Sequence, residues 1–114
     1  MGYGPFLVTS QTAATADGNG AGVDLSQLTE LAVFLNVSVS TGTNQELRVW
    51  LQDSADNVNF ADIAEFPLAI ATGTTRMSWT DLGRALGKWV RARWEIKGTS
   101  PSFDFTLKAA GSSI

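Results

Sequence analysis

The chain has 114 residues, 44% of them hydrophobic, and a formal net charge of −3 at pH 7. It contains no cysteine and no histidine, which excludes disulfide bonds, catalysis by a thiolate or a histidine of this chain, and the commonest metal ligands. Its Lys and Arg residues form no run, whereas nucleic-acid binding needs a basic face that replaces phosphate counterions. We therefore expect one domain that is not an enzyme, uses no cofactor or metal, and does not bind nucleic acid.

The N-terminal segment has the weakest signal for regular structure. Residues 1–22 are rich in Ala, Gly, Thr and Ser, which predicts an arm or long loop lying on the rest of the molecule, with a weak strand candidate at 6–10. The segment has no basic start followed by a long apolar stretch, so no secretory signal is expected. No part of the chain approaches the roughly 18 consecutive apolar residues of a membrane span.

Residues 23–114 are predicted to form a β-sandwich domain. Apolar and polar residues alternate along several segments, and this period of two is typical of half-buried strands. In 31–39, for example, Val33, Leu35 and Val37 share one face. In a later segment, Trp94 lies on the apolar face and is predicted to belong to the core. The other strong strand candidates are 47–52, 88–96 and 103–108, and weaker ones lie at 62–66 and 76–80.

Turn signals rich in Gly, Asn, Asp and Ser separate these segments at short intervals. Many short strands with regular turns predict an antiparallel β-sandwich, similar to a jelly roll, of about seven or eight strands. No segment sustains helical spacing over three turns. Because 24–31 and 81–86 could each form only one helical turn, little or no helix is expected.

The segment from Asp53 to Phe60 has the densest run of carboxylate and amide side chains. Such oxygens suit Ca²⁺, but the EF-hand pattern requires an oxygen donor where Ala55 stands and a glycine where Val58 stands. The segment also resembles an Asp-box turn, although it is one residue short and has no glycine. We favour a hairpin loop without a metal, in which Asp and Asn side chains bond backbone groups and Phe60 packs onto the core.

Acidic side chains could in principle supply the carboxylate pair of a glycoside hydrolase. Most of them stand at predicted turns or on the polar face of a strand, where solvated carboxylates are expected in any case. A domain of this size also has little room for a deep cleft. We therefore predict no catalytic pair among the candidates, which are Asp53, Asp56, Asp62, Glu65, Asp81, Glu95 and Asp104.

Tryptophan and arginine share the outward faces of two predicted strands. Trp50 lies on one face with Arg48, and Trp89 lies on another with Arg91 and Arg93. Trp and Arg are enriched at protein–protein hot spots, so these five residues are the predicted interface. In the alternative interpretations, the arginine side chains simply pack over the indoles, or exposed rings stack on a carbohydrate.

Three phrases of the sequence resemble small virion proteins of tailed bacteriophages. In 49–60, a strand is followed by Ser, a spacer, Asp and an aromatic residue, as is common in those proteins. The phrase at 86–94 is similar to their Gly-basic-aromatic-Val-Arg-x-Arg strand. The phrase at 98–105 is similar to their closing Gly-Thr-x-Pro-Ser-Phe-x-Phe turn and strand. The similarity extends over roughly residues 28–111.

This resemblance implies a jelly-roll or related β-sandwich that decorates the capsid exterior. Such cement proteins bind the lattice of the major capsid protein, commonly as homotrimers, and assemble in the host cytoplasm; the N-terminal arm would strap onto a neighbour. The chain departs from the pattern at Asn57, where Gly is usual, and at Phe60, where Trp is usual, and both changes suit a turn. The alternatives are a tail or neck protein, or a module that binds carbohydrate or a host surface.

Overall fold

The computed structural model describes residues 2–24, 30–79 and 89–112. Within these residues the chain consists of strands and their connections, and every strand pair is antiparallel. The predicted all-β, antiparallel fold is therefore confirmed. The helical turns considered at 24–31 and 81–86 fall mainly on residues outside this description. The seven strands are β1 (Gly2–Ala14), β2 (Gly18–Asn19), β3 (Val23–Asp24), β4 (Glu30–Ser54), β5 (Ala61–Glu65), β6 (Gly73–Trp79) and β7 (Trp89–Ser112).

Two long strands form the centre of the sheet. β4 and β7 pair along their whole length, from Glu30 opposite Ser112 to Ser54 opposite Trp89. β1, β2 and β3 add to the other edge of β7, whereas β5 and β6 add to the other edge of β4. Every other strand therefore pairs directly with one of these two.

The register divides the sheet into two parts, which we call layer 1 and layer 2. In layer 1, the first part of β4 pairs with β6 and with the last part of β7, and β1 completes the other edge. In layer 2, the last part of β4 pairs with β5 and with the first part of β7, and β2 and β3 complete the other edge. Layer 1 comprises β1, β6, 30–41 and 102–112; layer 2 comprises β2, β3, β5, 46–54 and 89–97.

The two layers pack face to face. A straight strand as long as β4 would span roughly 80 Å, but the longest dimension of the molecule is 45 Å. The rings of Trp94 in layer 2 and Phe105 in layer 1 meet edge to face with centroids 5.5 Å apart, although a straight β7 would separate them by roughly 35 Å. The inward side chains of both layers thus form one core, consisting of Val8, Val33, Leu35, Val37, Leu47, Val49, Leu51, Phe66, Val90, Ala92, Trp94, Ile96, Phe103, Phe105, Leu107 and Ala109.

The sheet folds back where β4 and β7 bend side by side. Gly42 and Gly98 have φ values of 123° and 126°, which favour glycine. A Cβ on Gly98 would lie 2.8 Å from the Cα of Gln45, and one on Gly42 would lie 2.9 Å from the Cα of Pro101. Register shifts interrupt the β4–β7 ladder here. The glycine signals predicted as turns between strands are therefore bends within continuous strands, because the pairing resumes on both sides.

The N-terminal segment differs from the arm predicted at residues 1–22. β1 is an edge strand of layer 1 and pairs with β7 from Gly2 opposite Ser112 to Ala14 opposite Phe103. Val8 and Thr9 are both buried where the register shifts. Outside the weak strand candidate at 6–10, residues of β1 pair with β7 although they show no alternation of apolar and polar side chains. Residues 2–14 thus belong to the same sheet as residues from the predicted 23–114 domain.

Candidate protein-interaction surfaces

The five predicted interface residues lie together on the outer face of layer 2. Residues directly opposite each other on paired strands share a face, and β4 and β7 supply all five. All of them are half-buried. Their opposite neighbours on this face are Glu95 for Arg48, Arg93 for Trp50, Gln52 for Arg91 and Ser54 for Trp89.

Arg93 covers the ring of Trp50. Its guanidinium carbon lies 4.2 Å from the ring centroid. Its Nη2 donates to Glu95 Oε2 at 2.6 Å, and its Nη1 lies 3.5 Å from Asp62 Oδ2. The guanidinium is thus held between the indole and two carboxylates, which favours a fixed position. At Trp50, the structure matches the interpretation in which an arginine packs over the indole.

Arg91 connects the neighbouring strands of the same face. Its Nε donates to Gln52 Oε1 at 2.7 Å, and its Nη1 donates to Asn19 Oδ1 at 3.4 Å. Gln52 Nε2 in turn donates to Asp62 Oδ1 at 2.7 Å. The guanidinium carbon of Arg91 lies 4.0 Å from the centroid of the Phe60 ring. One set of contacts therefore runs across β2, β7, β4 and β5.

The outer face of layer 2 carries balanced charges. Arg48 Nη1 lies 3.8 Å from Glu65 Oε2, with both side chains partly exposed, and such surface pairs contribute little to stability. The Nε atom of Arg48 is buried and has no hydrogen-bond partner within the described part of the chain. The charges that balance are those of Arg48, Arg91 and Arg93 against Asp62, Glu65 and Glu95. A partner at this face stays a prediction, because the contacts of Arg91 and Arg93 are made within the chain.

Ser54 and Asp56 hold the loop from β4 to β5. Ser54 Oγ accepts the N–H of Asn57 at 3.0 Å, and Asp56 Oδ1 accepts the N–H groups of Val58 and Asn59, both at 2.9 Å. Hydrogen bonds from the Asn59 and Val58 backbone, and then from side chains, hold the pKa of Asp56 well below its usual range, because they favour the ionised carboxylate. The predicted hairpin loop is confirmed, and the Asp56 side chain bonds backbone groups as expected, whereas the Asn59 side chain donates to the Asp56 carboxylate.

Phe60, at the end of this loop, lies elsewhere than predicted. It is half-buried and outside the core cluster, and its ring lies beneath Arg91 on the outer face of layer 2. The pattern places an aromatic residue after the loop but does not determine which face receives it. The described residues contain no group of three or more Asp, Glu, His or Cys side chains that could hold a metal.

The connection between β5 and β6, residues 66–72, carries an apolar surface that the sequence interpretation missed. Phe66 is buried, and its N–H donates to Val49 O at 2.9 Å. Ala69 exchanges two backbone hydrogen bonds with Leu47, of 2.9 and 3.0 Å. Leu68 and Ile70 are 45% and 60% exposed. The backbone is therefore fixed to β4 while two large aliphatic side chains face solvent. In the sequence, this exposed pair could have been recognised from its spacing of two residues, with Ala69 between the two.

Shallow grooves lie on both sides of Leu68 and Ile70. One has a volume of about 250 Å³ and is lined by Leu35, Val37 and residues 68–75. The other has a volume of about 480 Å³ and includes residues 44–46 in its lining. Leu68 and Ile70 thus project from a fixed backbone between two grooves. A partner could contact the two side chains and also insert its own side chains into the grooves.

The chain matches no known protein family model and no curated protein at a significant level. In the described ranges, no helix has the length and apolar character needed to cross a membrane.

Proposed function

We propose that the chain is a structural protein of a tailed-phage virion that decorates the capsid exterior and binds the lattice of the major capsid protein, as a homotrimer. The phrases at 49–60, 86–94 and 98–105 that resemble small virion proteins support this assignment. In the structure, the first phrase forms the end of β4 with its hydrogen-bonded loop, and the third forms the bend of β7 and the strand after it.

The pairing order supports a jelly roll. Across layer 1 the order is β1, β7, β4 and β6; across layer 2 it is β2 with β3, then β7, β4 and β5. Two antiparallel layers joined by strands that pass through both are expected of a double-sheet jelly roll, an architecture frequent in viral capsid domains.

The observation that carries the binding part of the proposal is the exposure of Leu68 and Ile70 on a backbone fixed to β4. Burying such side chains stabilises a contact by at most about 1.5–3 kcal/mol each. A contact of this size is modest for one copy, but a decoration protein repeats it over a whole lattice. The charges on the outer face of layer 2 already balance each other. We therefore propose that the capsid contact is made by the 66–72 segment.

Carbohydrate binding is less well supported, because two of the described tryptophans, Trp94 and Trp50, have covered rings. Trp94 is 6% exposed, and the ring of Trp50 lies under Arg93. Stacking on a sugar needs an open aromatic face, so neither ring offers a platform without rearrangement. The side chain of Trp79 lies outside the described set. Binding to a host surface and a tail or neck location are separated from decoration by the experiments below.

The test replaces both exposed aliphatic residues with aspartate. We expect Leu68→Asp combined with Ile70→Asp to weaken co-sedimentation with capsids that lack the protein by more than about 100-fold, because two carboxylates would be desolvated at the contact. Thr12→Asp, which adds a charge at an exposed position of β1, is the control and should bind normally. Circular dichroism and Tm measurements establish that all variants are folded.

Capsid binding that is unchanged in the double variant would overturn the assignment of the 66–72 segment. The copy number in purified virions, from quantitative mass spectrometry, tests the location. Hundreds of copies per particle are expected for a decoration protein. A handful would instead indicate a tail or neck protein, and absence from the virion would overturn the proposal.

A further inference from the structure

A line of four side chains crosses the outer face of layer 1. Leu7 stands opposite Lys108, Lys108 opposite Phe34, and Phe34 opposite Arg76. Leu7 is 54% exposed, and both cations are exposed. The guanidinium carbon of Arg76 lies 5.6 Å from the centroid of the half-buried Phe34 ring. We call these four residues the cationic row.

The cationic row stands above smaller neighbours. The next line of outward side chains is polar and short, with Thr74 Oγ1 donating to Asn36 Oδ1 at 2.9 Å. On the other side, Ala32 and Ala110 stand opposite each other. Among the side chains that the structure describes on this face, the row is therefore the raised part. The short polar line consists of Ser10, Thr106, Asn36 and Thr74.

The positive charge of the row is not balanced by described neighbours. Among the described side chains, no ion pair joins Lys108 or Arg76 to an acid. Asp104, an acidic residue of this face whose side chain the structure describes, accepts the N–H of Ala13 at 2.7 Å. It lies about 13 Å along β7 from Lys108, which exceeds the Debye length of about 8 Å at physiological salt. The outer face of layer 2, in contrast, balances its charges.

The β4–β5 loop has the complementary properties. Val58 is 75% exposed, the highest value among the exposed large hydrophobic residues that the structure describes. The ionised Asp56 is also exposed and lies two residues earlier. Ser54 and Asp56 fix the loop by hydrogen bonds, so little conformational entropy remains to be lost on binding.

We propose that one copy of the chain docks its β4–β5 loop, with Val58 foremost, onto the cationic row of a second copy. Val58 would contact the apolar groups of Leu7 and Phe34, and the carboxylate of Asp56 would face Lys108 and Arg76. Loop and row are different surfaces, so the contact is heterologous, and each copy uses both. Such contacts build a closed ring or an open chain. The contact needs no capsid and goes beyond the proposed function.

The test measures the mass of the purified protein by sedimentation velocity at about 50 mM and about 500 mM NaCl. We expect the wild type to self-associate, and more strongly at low salt. Val58→Ser removes the apolar contact without adding a charge that the cationic row would attract, and Lys108→Glu reverses a charge of the row, so each variant should be monomeric. The control is Lys97→Glu, which makes the same charge change at an exposed residue of layer 2 and should associate like the wild type.

Mixing the two monomeric variants distinguishes a heterologous contact from any other. The Lys108→Glu variant keeps an intact loop, and the Val58→Ser variant keeps an intact row. An equimolar mixture should therefore form pairs and nothing larger, since the second contact of each pair is broken.

The proposal is overturned if the wild type is monomeric at high concentration, if either single variant still associates, if Lys97→Glu disrupts association equally, or if the mixture stays monomeric. Capsid binding by a monomeric wild type would support capsid decoration and would overturn both the homotrimer and this contact. Self-association of a wild type that does not bind capsids would support this contact and would overturn the proposed function.

Discussion

At the scale of single residues, one carboxylate organises the β4–β5 loop. Asp56 Oδ1 accepts the backbone N–H groups of Val58 and Asn59, and Oδ2 accepts from the Asn59 side chain at 2.9 Å. Ser54 Oγ donates to the same carboxylate at 2.9 Å. These donors favour the charged form, so loop geometry and ionisation are linked.

Stability should therefore depend on the ionisation of Asp56. Its pKa is lower in the folded than in the unfolded chain, where the ordinary value is 3.8. The stabilisation is complete above that value and is lost as the pH falls below it toward the folded-state pKa. We expect Asp56→Asn to lower Tm at pH 7, and the gap from wild type to narrow below about pH 4 in thermal unfolding followed by circular dichroism.

Glu46→Gln is the control for this measurement, since it removes a carboxylate outside the loop. Its difference in Tm from the wild type should be small at neutral pH. A gap between Asp56→Asn and the wild type that stays constant from pH 7 down to about pH 2.5 would contradict the proposed role of the ionised carboxylate.

At the scale of elements, the bends of β4 and β7 depend on glycines that approach the neighbouring strand. Gly98 combines a φ of 126° with a would-be Cβ contact of 2.8 Å to the backbone of Gln45. Gly73, at the start of β6, has a φ of 153° but no atom within 4 Å of its would-be Cβ. The two positions share the unfavourable backbone region and differ in crowding.

This pair separates crowding from backbone strain. We expect Gly73→Ala to lower the free energy of unfolding by about 1 kcal/mol, the lower end of the cost of such backbone positions. Gly98→Ala should lower it by roughly 2–4 kcal/mol, because backbone atoms must also move. Urea denaturation measures both values. Equal losses would mean that the close approach at Gly98 has no energetic consequence.

The local alternation of residues predicted where parts of β4, β5, β6 and β7 lie, but not how those parts join. The predicted strands at 31–39 and 47–52 both lie within β4, and the described part of the strand predicted at 88–96 lies within β7, as does the strand predicted at 103–108. Their continuity depends on cross-strand pairing at the bends, which local periodicity does not report. β1 escaped prediction over most of its length because its pairing with β7 extends well beyond the apolar residues at 6–8, into residues without alternation.

The candidate surfaces were predictable to a similar extent. Alternation correctly grouped Arg48 with Trp50, and Trp89 with Arg91 and Arg93, because each group lies on one strand. It could not show that β4 and β7 would bring the groups together, or that nearby carboxylates from β5 and β7 would balance the arginines. The exposure of Leu68 and Ile70 depends on backbone bonds to β4 from a connection without regular alternation.

At the scale of the whole molecule, the core joins the two layers. Trp94 comes from layer 2, and its Nε1 donates to Ala16 O at 3.2 Å, in the connection between β1 and β2. Its ring packs on Phe105 of layer 1. Since β4 and β7 also run through both layers, the layers share backbone as well as side chains. If one layer unfolds, the inner side chains of the other layer therefore become exposed to solvent.

Cooperative unfolding follows from this arrangement. We expect Phe105→Ala to lower the free energy of unfolding by about 3–5 kcal/mol, the usual cost of removing a buried aromatic ring, while keeping a single transition. Phe34→Ala, the same substitution at a half-buried residue on the outer face of layer 1, should cost only about 1 kcal/mol.

Two spectroscopic methods test whether the layers unfold together. Tryptophan fluorescence reports mainly on layer 2, where Trp50, Trp89 and Trp94 lie, and far-ultraviolet circular dichroism reports on both layers. Coincident urea transitions by the two methods mean that the layers unfold together. Separate transitions would show that they are stable independently, in which case the contact between Trp94 and Phe105 does not bind them into one unit.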